Sequence, residues 1–428
     1  MRDDELCFTP AVELARLVRA RKVSPLEITR AVLDRIARVN PAINAYCTVA
    51  AEQALAAARR ATAAAARRSA RLGPLHGVPV SIKDLTQTKG IRTTFGSKIF
   101  EDFVPEEDAL VVARLKAAGA IVLGKTNTPE FGAGANTFNA VFGPTRNPWN
   151  PALTCGGSTG GGAAALAAGL GPLAQGTDLG GSLRLPAAFC GVVGLRPSPG
   201  LVPTYPYALA WDAYGVSGPM ARTVGDVALM LSAIAGPDPR APISYPVDPR
   251  RFTRAVSRPS VRGLRIAWGG DLGVAAVDDE ILEITREATR VFRRLGARVD
   301  EAHPDLNGLL PVVLDSRGAR MVGLHDGKLP KWRDVMQPNL VKDIEYGLGL
   351  SAADIGRAER GRTELYHRAR AFYETYDAIL TPTAPVPPFP VEVTHPTAIN
   401  GRPMRSYIEW VLPTYAFTIL GVPAISVP

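Results

Sequence analysis

Three short segments hold residue types that can do chemistry together: Gly77-Val78-Pro79-Val80-Ser81-Ile82-Lys83-Asp84, Cys155-Gly156-Gly157-Ser158-Thr159-Gly160-Gly161-Gly162 and Gly176-Thr177-Asp178-Leu179-Gly180-Gly181-Ser182-Leu183-Arg184. Lys83 closes a strongly apolar strand pattern, where an ammonium is poorly solvated and its pKa falls below the usual ~10.4. A lysine neutral near pH 7 can act as a base. The plainer alternative is a strand-end lysine paired with Asp84 or another acid. The glycine runs let backbone N–H groups converge on one point, as an oxyanion or a phosphate requires; close helix packing is their other use.

Neither glycine run contains G-x-x-x-x-G-K-[ST] or a G-x-G-x-x-G opening a helix, which argues against nucleotide binding. Gly156-Gly157-Ser158-Thr159-Gly160 does satisfy G-x-S-x-G, the nucleophile elbow of α/β-hydrolases, and would then need an acid and a histidine downstream. His303, His325, His367 and His395 are available, but they sit in weakly patterned loops or on a charged helix face. An elbow also leaves Lys83 and the second glycine–serine segment unexplained.

The elements that must position these residues follow from periodicity and punctuation. Thr9-Pro10 and Ser24-Pro25-Leu26-Glu27 each read as a capped helix start, and an Ala/Arg-rich segment over 50–71 reads as a third helix. Strands at 78–82 and 120–123 with a helix at 108–118 between them form a βαβ alternation. Further sheet segments are expected at 173–177 and 191–195. A second such unit has strands at 264–267 and 297–299 around a helix at 278–295, then a helix over 351–376 and a strand at 378–380. The expected class is α/β: a central mixed, mostly parallel sheet with helices on both faces. The chain is expected to form one domain, 1–428, with a helical wrap (1–75), a core (76–235) and a second α/β portion (260–428).

Composition narrows the function class. The 428 residues are 46% hydrophobic and 21% charged, which excludes a disordered or fibrous chain. The net charge of +9 is dispersed, with no basic block suited to nucleic acid. Cys7, Cys47, Cys155 and Cys190 form no metal or disulfide pattern, so reduced buried thiols are expected. No stretch of 18 apolar residues appears, and the acidic start has no signal core, which points to the cytoplasm.

Taken together, the three segments resemble the amidase signature family of serine hydrolases. The likeness extends to Leu123-Gly124-Lys125-Thr126-Asn127, Gly143-Pro144-Thr145-Arg146-Asn147-Pro148, Cys190-Gly191-Val192-Val193-Gly194-Leu195-Arg196-Pro197 and Gly421-Val422-Pro423-Ala424-Ile425-Ser426-Val427-Pro428. The resemblance implies a nucleophile at Ser182, a bridging serine on a cis peptide at Ser158 and a base at Lys83. It also implies an oxyanion hole from the backbone of Leu179, Gly180, Gly181 and Ser182. Asp178 and Arg184 would brace that loop, with a surface ion pair as their bland alternative. Thr159 would support the site where many relatives carry a second serine. The relay is chemically sound, since a serine hydroxyl is a weak nucleophile until a neighbouring base takes its proton.

The implied activity is hydrolysis of a carboxylic amide, or of an aryl amide, ester or carbamate, through an acyl-enzyme, with no metal or organic cofactor. The implied partner is a small-molecule amide; neither nucleic acid nor membrane is implied, and a homodimer is left open. Phe131, Phe138, Trp211, Trp410, Tyr415 and Phe417 are candidate pocket residues, with core packing as the alternative. Two other functions stay open. One is the glutaminase-type subunit of a tRNA-dependent amidotransferase, against which the segment Ser406–Pro413 lacks the expected aspartate. The other is a non-catalytic assembly subunit of the same fold. Relatives continue past the Gly421–Pro428 strand, so a truncated sheet edge is also expected.

Overall fold

The computed structural model describes residues 2–67, 69 and 71–428; Met1 and positions 68 and 70 of the expected 50–71 segment lie outside the described residues. Two compact units emerge: Met1–Ser257 with Pro390–Glu392 and Pro423–Pro428, and Arg258–Phe389 with Val393–Val422. The first unit takes in one short piece from within the span of the second and one from after it.

In the first unit, β1 (Tyr46–Val49), β2 (Pro79–Lys83), β3 (Ile121–Thr126), β4 (Leu173–Asp178), β5 (Val193–Arg196) and β6 (Val216–Ala221) join a returning strand, Ala424–Ser426, in a seven-stranded sheet. Strand β3 lies beside β2 and β2 beside β4, both pairs parallel. β1, β6, β5 and the returning strand add antiparallel pairs. The sheet is mixed as expected, but "mostly parallel" describes its centre and not its flanks. Every residue of β2, β3 and β6 is buried, as a strand covered on both faces must be. β6 escapes the sequence pattern because Gly218 and Pro219 interrupt it; Pro219 pairs with Gln175 inside the sheet, an unusual place for proline.

The opening helices are Asp3–Phe8, Ala11–Arg19 and Pro25–Ile43, followed by Ala51–Ala66. Ser24 and Glu27 form the expected capping box. Thr9 does not cap: its hydroxyl donates to the Glu5 carbonyl, and the Val12 N–H is met at 2.8 Å by Asp226, more than 200 residues away. A tertiary carboxylate has replaced the local cap.

The second unit is built on the parallel strands β7 (Arg265–Trp268), β8 (Arg298–Glu301) and β9 (Ala378–Leu380), ordered β8-β7-β9. Ile266, Trp268, Ala297 and Val299 form a small core on them. The expected 278–295 helix is broken at Thr289 into Asp279–Ala288 and Arg290–Arg294. Ala352–Tyr373 starts at a Ser351 cap. A hairpin, β10 (Ala398–Ile399) and β11 (Arg402–Pro403), precedes the Leu412–Ile419 helix, and the returning strand Ala424–Ser426 is β12.

Candidate active site

Strands β2 and β4 end side by side in the first unit, and their last residues bring the sequence motifs together. Lys83, the final residue of β2, is wholly buried. Its Nζ lies 2.8 Å from Ser158 Oγ, 3.0 Å from Thr159 Oγ1 and 3.0 Å from Thr177 Oγ1. It makes no ion pair among the described residues. The neighbouring Asp84 accepts from the Thr94 N–H and hydroxyl instead. Burial pulls the Lys83 amine down to about 7, against the pull of Asp178 in the opposite direction. Desolvation is thus what favours the neutral form of this amine.

Ser158 follows a cis Gly157–Ser158 peptide, as the resemblance implies. No strand leads into it, only the isolated bridges Leu153–Pro390 and Arg146–Thr154, so the strand-to-helix elbow is absent among the described residues. Its hydroxyl is met by lysine; no histidine is bonded to it among the described residues, and the four candidate histidines belong to the second unit. Thr159 supports the nest by accepting from Lys83 and donating to the Thr177 carbonyl at 3.2 Å. Gly176 makes this approach possible, since a Cβ there would stand 2.5 Å from Thr159 Cγ2.

Residues 179–183 form the loop from β4 to the helix Arg184–Cys190, and Asp178 organises it. Its carboxylate accepts from the N–H groups of Gly181 and Leu183, each at 3.0 Å, and from Arg184 Nε and Nη2 at 3.0 and 2.8 Å. Both side chains are buried, so the surface ion-pair reading does not hold. Burial pushes the Asp178 carboxyl up, but Arg184, Arg196 and the Leu183 N–H outweigh it and hold it well below the usual carboxylate range. Of the four backbone groups expected to face an oxyanion, Gly181 is committed to Asp178. The Ser182 N–H makes no hydrogen bond among the described residues, its carbonyl accepts from the Thr159 N–H at 3.1 Å, and the residue is half-buried.

The candidate pocket residues divide. Phe131 belongs near the nest: a Cβ on the next residue, Gly132, would stand 3.4 Å from Ser158 Oγ. Its ring joins those of Phe95 and Phe100, with centroids 6.4 and 6.1 Å away. Phe138 is half-buried, while Trp211 is 77% exposed with its ring in solvent rather than in a pocket wall. Trp410, Tyr415 and Phe417 are buried within the second unit. There Trp410 packs on Phe389, and the Tyr415 hydroxyl accepts from Arg317 at 2.8 Å.

Sequence reasoning missed Thr177 and Arg196 as site residues. Thr177 stands between Gly176 and Asp178 in one of the three motifs, and a hydroxyl next to the bracing aspartate was the available signal. Among the described residues no cluster of three or more His, Cys, Asp or Glu could hold a metal ion, and no helix is long and apolar enough to cross a membrane.

Comparison with known proteins identifies the family. The amidase family model matches residues 27–428. An acylamidase of Rhodococcus erythropolis is 39% identical over 435 residues, covering 100% of this chain and 90% of the relative. A glutamyl-tRNA(Gln) amidotransferase subunit of Acidothermus cellulolyticus is 38% identical, covering 99% of this chain and 88% of the relative. Among solved structures, a bacterial aryl acylamidase of the amidase signature family superposes with a TM-score of 0.90 at 31% identity, covering 98% of this chain and 89% of that one. With the family model spanning nearly the whole sequence, the chain belongs to the amidase family, the amidase signature hydrolases of carbon–nitrogen bonds.

Proposed function

We propose that this chain hydrolyses a small carboxylic amide, with aryl amides, esters and carbamates in the same class, through an acyl-enzyme on Ser182. The observation that carries the reading is the 2.8 Å contact between wholly buried Lys83 and Ser158 within a nest of hydroxyls. Ser182 Oγ attacks the carbonyl carbon as its proton passes to Ser158, whose own proton passes to neutral Lys83. The negative charge on the carbonyl oxygen is met by N–H groups of the 179–182 loop, with Gly181 held back by Asp178. As the tetrahedral species collapses, the C–N bond breaks, and the amine leaves with a proton returned from Lys83 through Ser158. Water then adds to the acyl ester by the same relay, releasing the acid and Ser182. The aromatic group around Phe131 supports an apolar acyl or aryl substituent.

The test is labelling with a fluorophosphonate probe followed by peptide mapping, with anilide hydrolysis measured in parallel. The expected result is one adduct on the Ser182 peptide, absent in Lys83→Ala, and loss of turnover in Ser182→Ala. An adduct on Ser158 overturns the assignment. Turnover of glutamine but of no anilide favours the amidotransferase reading instead.

A further inference from the structure

Arg196, the last residue of β5, is wholly buried beside Asp178, whose carboxyl it helps to hold low. Its Nη1 donates to the main-chain carbonyl of Asp178 at 2.8 Å and reaches the carboxylate Oδ1 only at 3.4 Å. Its Nε and Nη2 are buried with no protein partner among the described residues. The carboxylate already has the two-pronged Arg184 contact and two loop N–H groups. As a stability device Arg196 is therefore a poor choice: a buried charge with idle donors is commonly matched or bettered by an apolar side chain of similar volume.

What the carbonyl contact does fix is a peptide plane. The Asp178–Leu179 bond is not among the cis peptides, so its C=O and N–H point in opposite directions within one rigid plane. Holding the oxygen on Arg196 turns the Leu179 N–H the other way, and Leu179 is the first residue of the loop that reaches Ser182. Asp178 thus anchors the loop twice: its carboxylate gathers Gly181 and Leu183, and its carbonyl sets the direction of Leu179.

We propose that Arg196 is a positioning residue of the hydrolysis, fixing the Asp178–Leu179 peptide plane so that the Leu179 N–H faces the oxyanion of the tetrahedral intermediate. The inference rests on reading residues 179–182 as the oxyanion-binding loop. It predicts an interaction realised only when the carbonyl carbon becomes tetrahedral, so its loss should appear in kcat and not in KM.

The experiment compares the full chain with Arg196→Met and Arg196→Lys. The readouts are kcat and KM on an anilide, the inhibition constant of a trifluoromethyl ketone that forms a tetrahedral adduct on serine, and that of the product carboxylic acid. In Arg196→Met kcat is expected to fall about 30- to 300-fold, somewhat less than removing a whole oxyanion donor, with KM nearly unchanged. The ketone should weaken in parallel and the acid should not. Arg196→Lys, whose ammonium can still reach the carbonyl, should recover most of the activity. Unchanged kcat in Arg196→Met overturns the inference, as does equal weakening of ketone and acid, which marks a merely structural residue. If Arg196→Met does not fold, Arg196→Ala decides by the same ratio: a ketone weakened more than the acid supports the inference, and equal or no weakening overturns it. A wild-type fluorophosphonate adduct away from Ser182 removes the parent reading, whereas an adduct on Ser182 with unaltered Arg196→Met kinetics removes this inference alone.

Discussion

Two lysines lie wholly buried on neighbouring strands, and their surroundings make them different reagents. Lys83 ends β2 and Lys125 lies in β3, one register step away, where Ile82 pairs with Lys125 and Lys83 with Thr126. Lys83 meets three hydroxyls and no carboxylate. Lys125 donates to the Thr86 carbonyl and to Thr93 Oγ1 at 2.8 Å, and its ammonium stands 3.9 Å from Asp84. Burial lowers both, Lys83 to about 7 and Lys125 to about 8, with Asp84 resisting the second shift. Hydroxyls, the partners Lys83 meets, can accept from an amine and hand protons to it, whereas the carbonyl and carboxylate that Lys125 meets besides its two threonine hydroxyls hold a cation in place. Burial alone therefore does not make a base; the partners decide whether the amine exchanges protons or serves as a clamp. Lys125 is such a clamp, tying β3 to the 84–95 loop that follows Lys83.

The largest effect expected from this contrast is on turnover. Lys83→Met should cut kcat/KM on an anilide by about 10³- to 10⁴-fold, since a relay without its base retains only binding and oxyanion stabilisation. Its melting temperature should not fall, because the variant no longer buries an amine. A Lys83→Met enzyme with more than a tenth of normal activity would end the distinction between the two lysines.

Lys125→Met should show the reverse balance. Removing one partner of a buried pair leaves Asp84 uncompensated and is expected to cost about 3–5 kcal/mol of stability, read from denaturant titration. Adding Asp84→Asn should recover part of that loss, as coupled partners do in a double-mutant cycle. Additive losses would mean that Asp84 and Lys125 do not act as a pair.

The pH profile sharpens the contrast further. A lysine base would act only when neutral, so with burial pulling the Lys83 amine down to about 7, the proposed relay predicts that kcat/KM drops about tenfold per pH unit below that value and levels off above it. Lys125→Met should keep this acid limb, whereas the residual activity of Lys83→Met should lack it. Steady-state rates between pH 5 and 9 decide the matter.

The smallest expected effect concerns Thr177, whose hydroxyl accepts from Lys83 at 3.0 Å. Thr177→Val keeps the shape and removes the acceptor, so Lys83 loses one of its guides; kcat is expected to fall about 5- to 10-fold, in line with a single hydrogen bond. Thr177→Ser should restore it.

How much of this was readable beforehand follows from what each residue depends on. Lys83, Ser158, Thr159, Asp178 and Ser182 sit in short motifs whose order along the chain was enough to single them out. The apolar runs of β2 and β3 likewise betrayed strands covered on both faces. β6 was hidden because its glycine and proline obey the local approach of β4 and β5 and not a strand pattern. The cap on Ala11–Arg19 comes from Asp226, a partner no local motif could announce. Arg196 stood inside a family-like segment, yet its bond to a main-chain carbonyl leaves no mark on residue type. The aromatics were ambiguous because packing and pocket ask for the same side chains: Trp410 turned out buried on Phe389, and Trp211 in solvent.

The return of β12 to the first sheet bears on when the protein becomes competent during synthesis. β12 pairs with β5, placing Ala424 opposite Arg196, and it is made only after the whole second unit has been translated. The main part of the first unit ends at Ser257 and its last piece begins at Pro423, a gap of 166 positions by subtraction. At about 5–20 residues per second that is a delay of roughly 8–33 s. During that interval the Lys83, Ser158 and Ser182 segments are already translated while the edge of β5 beside Arg196 still lacks its neighbour. The nascent chain thus carries the Lys83, Ser158 and Ser182 segments well before the β5 edge is covered.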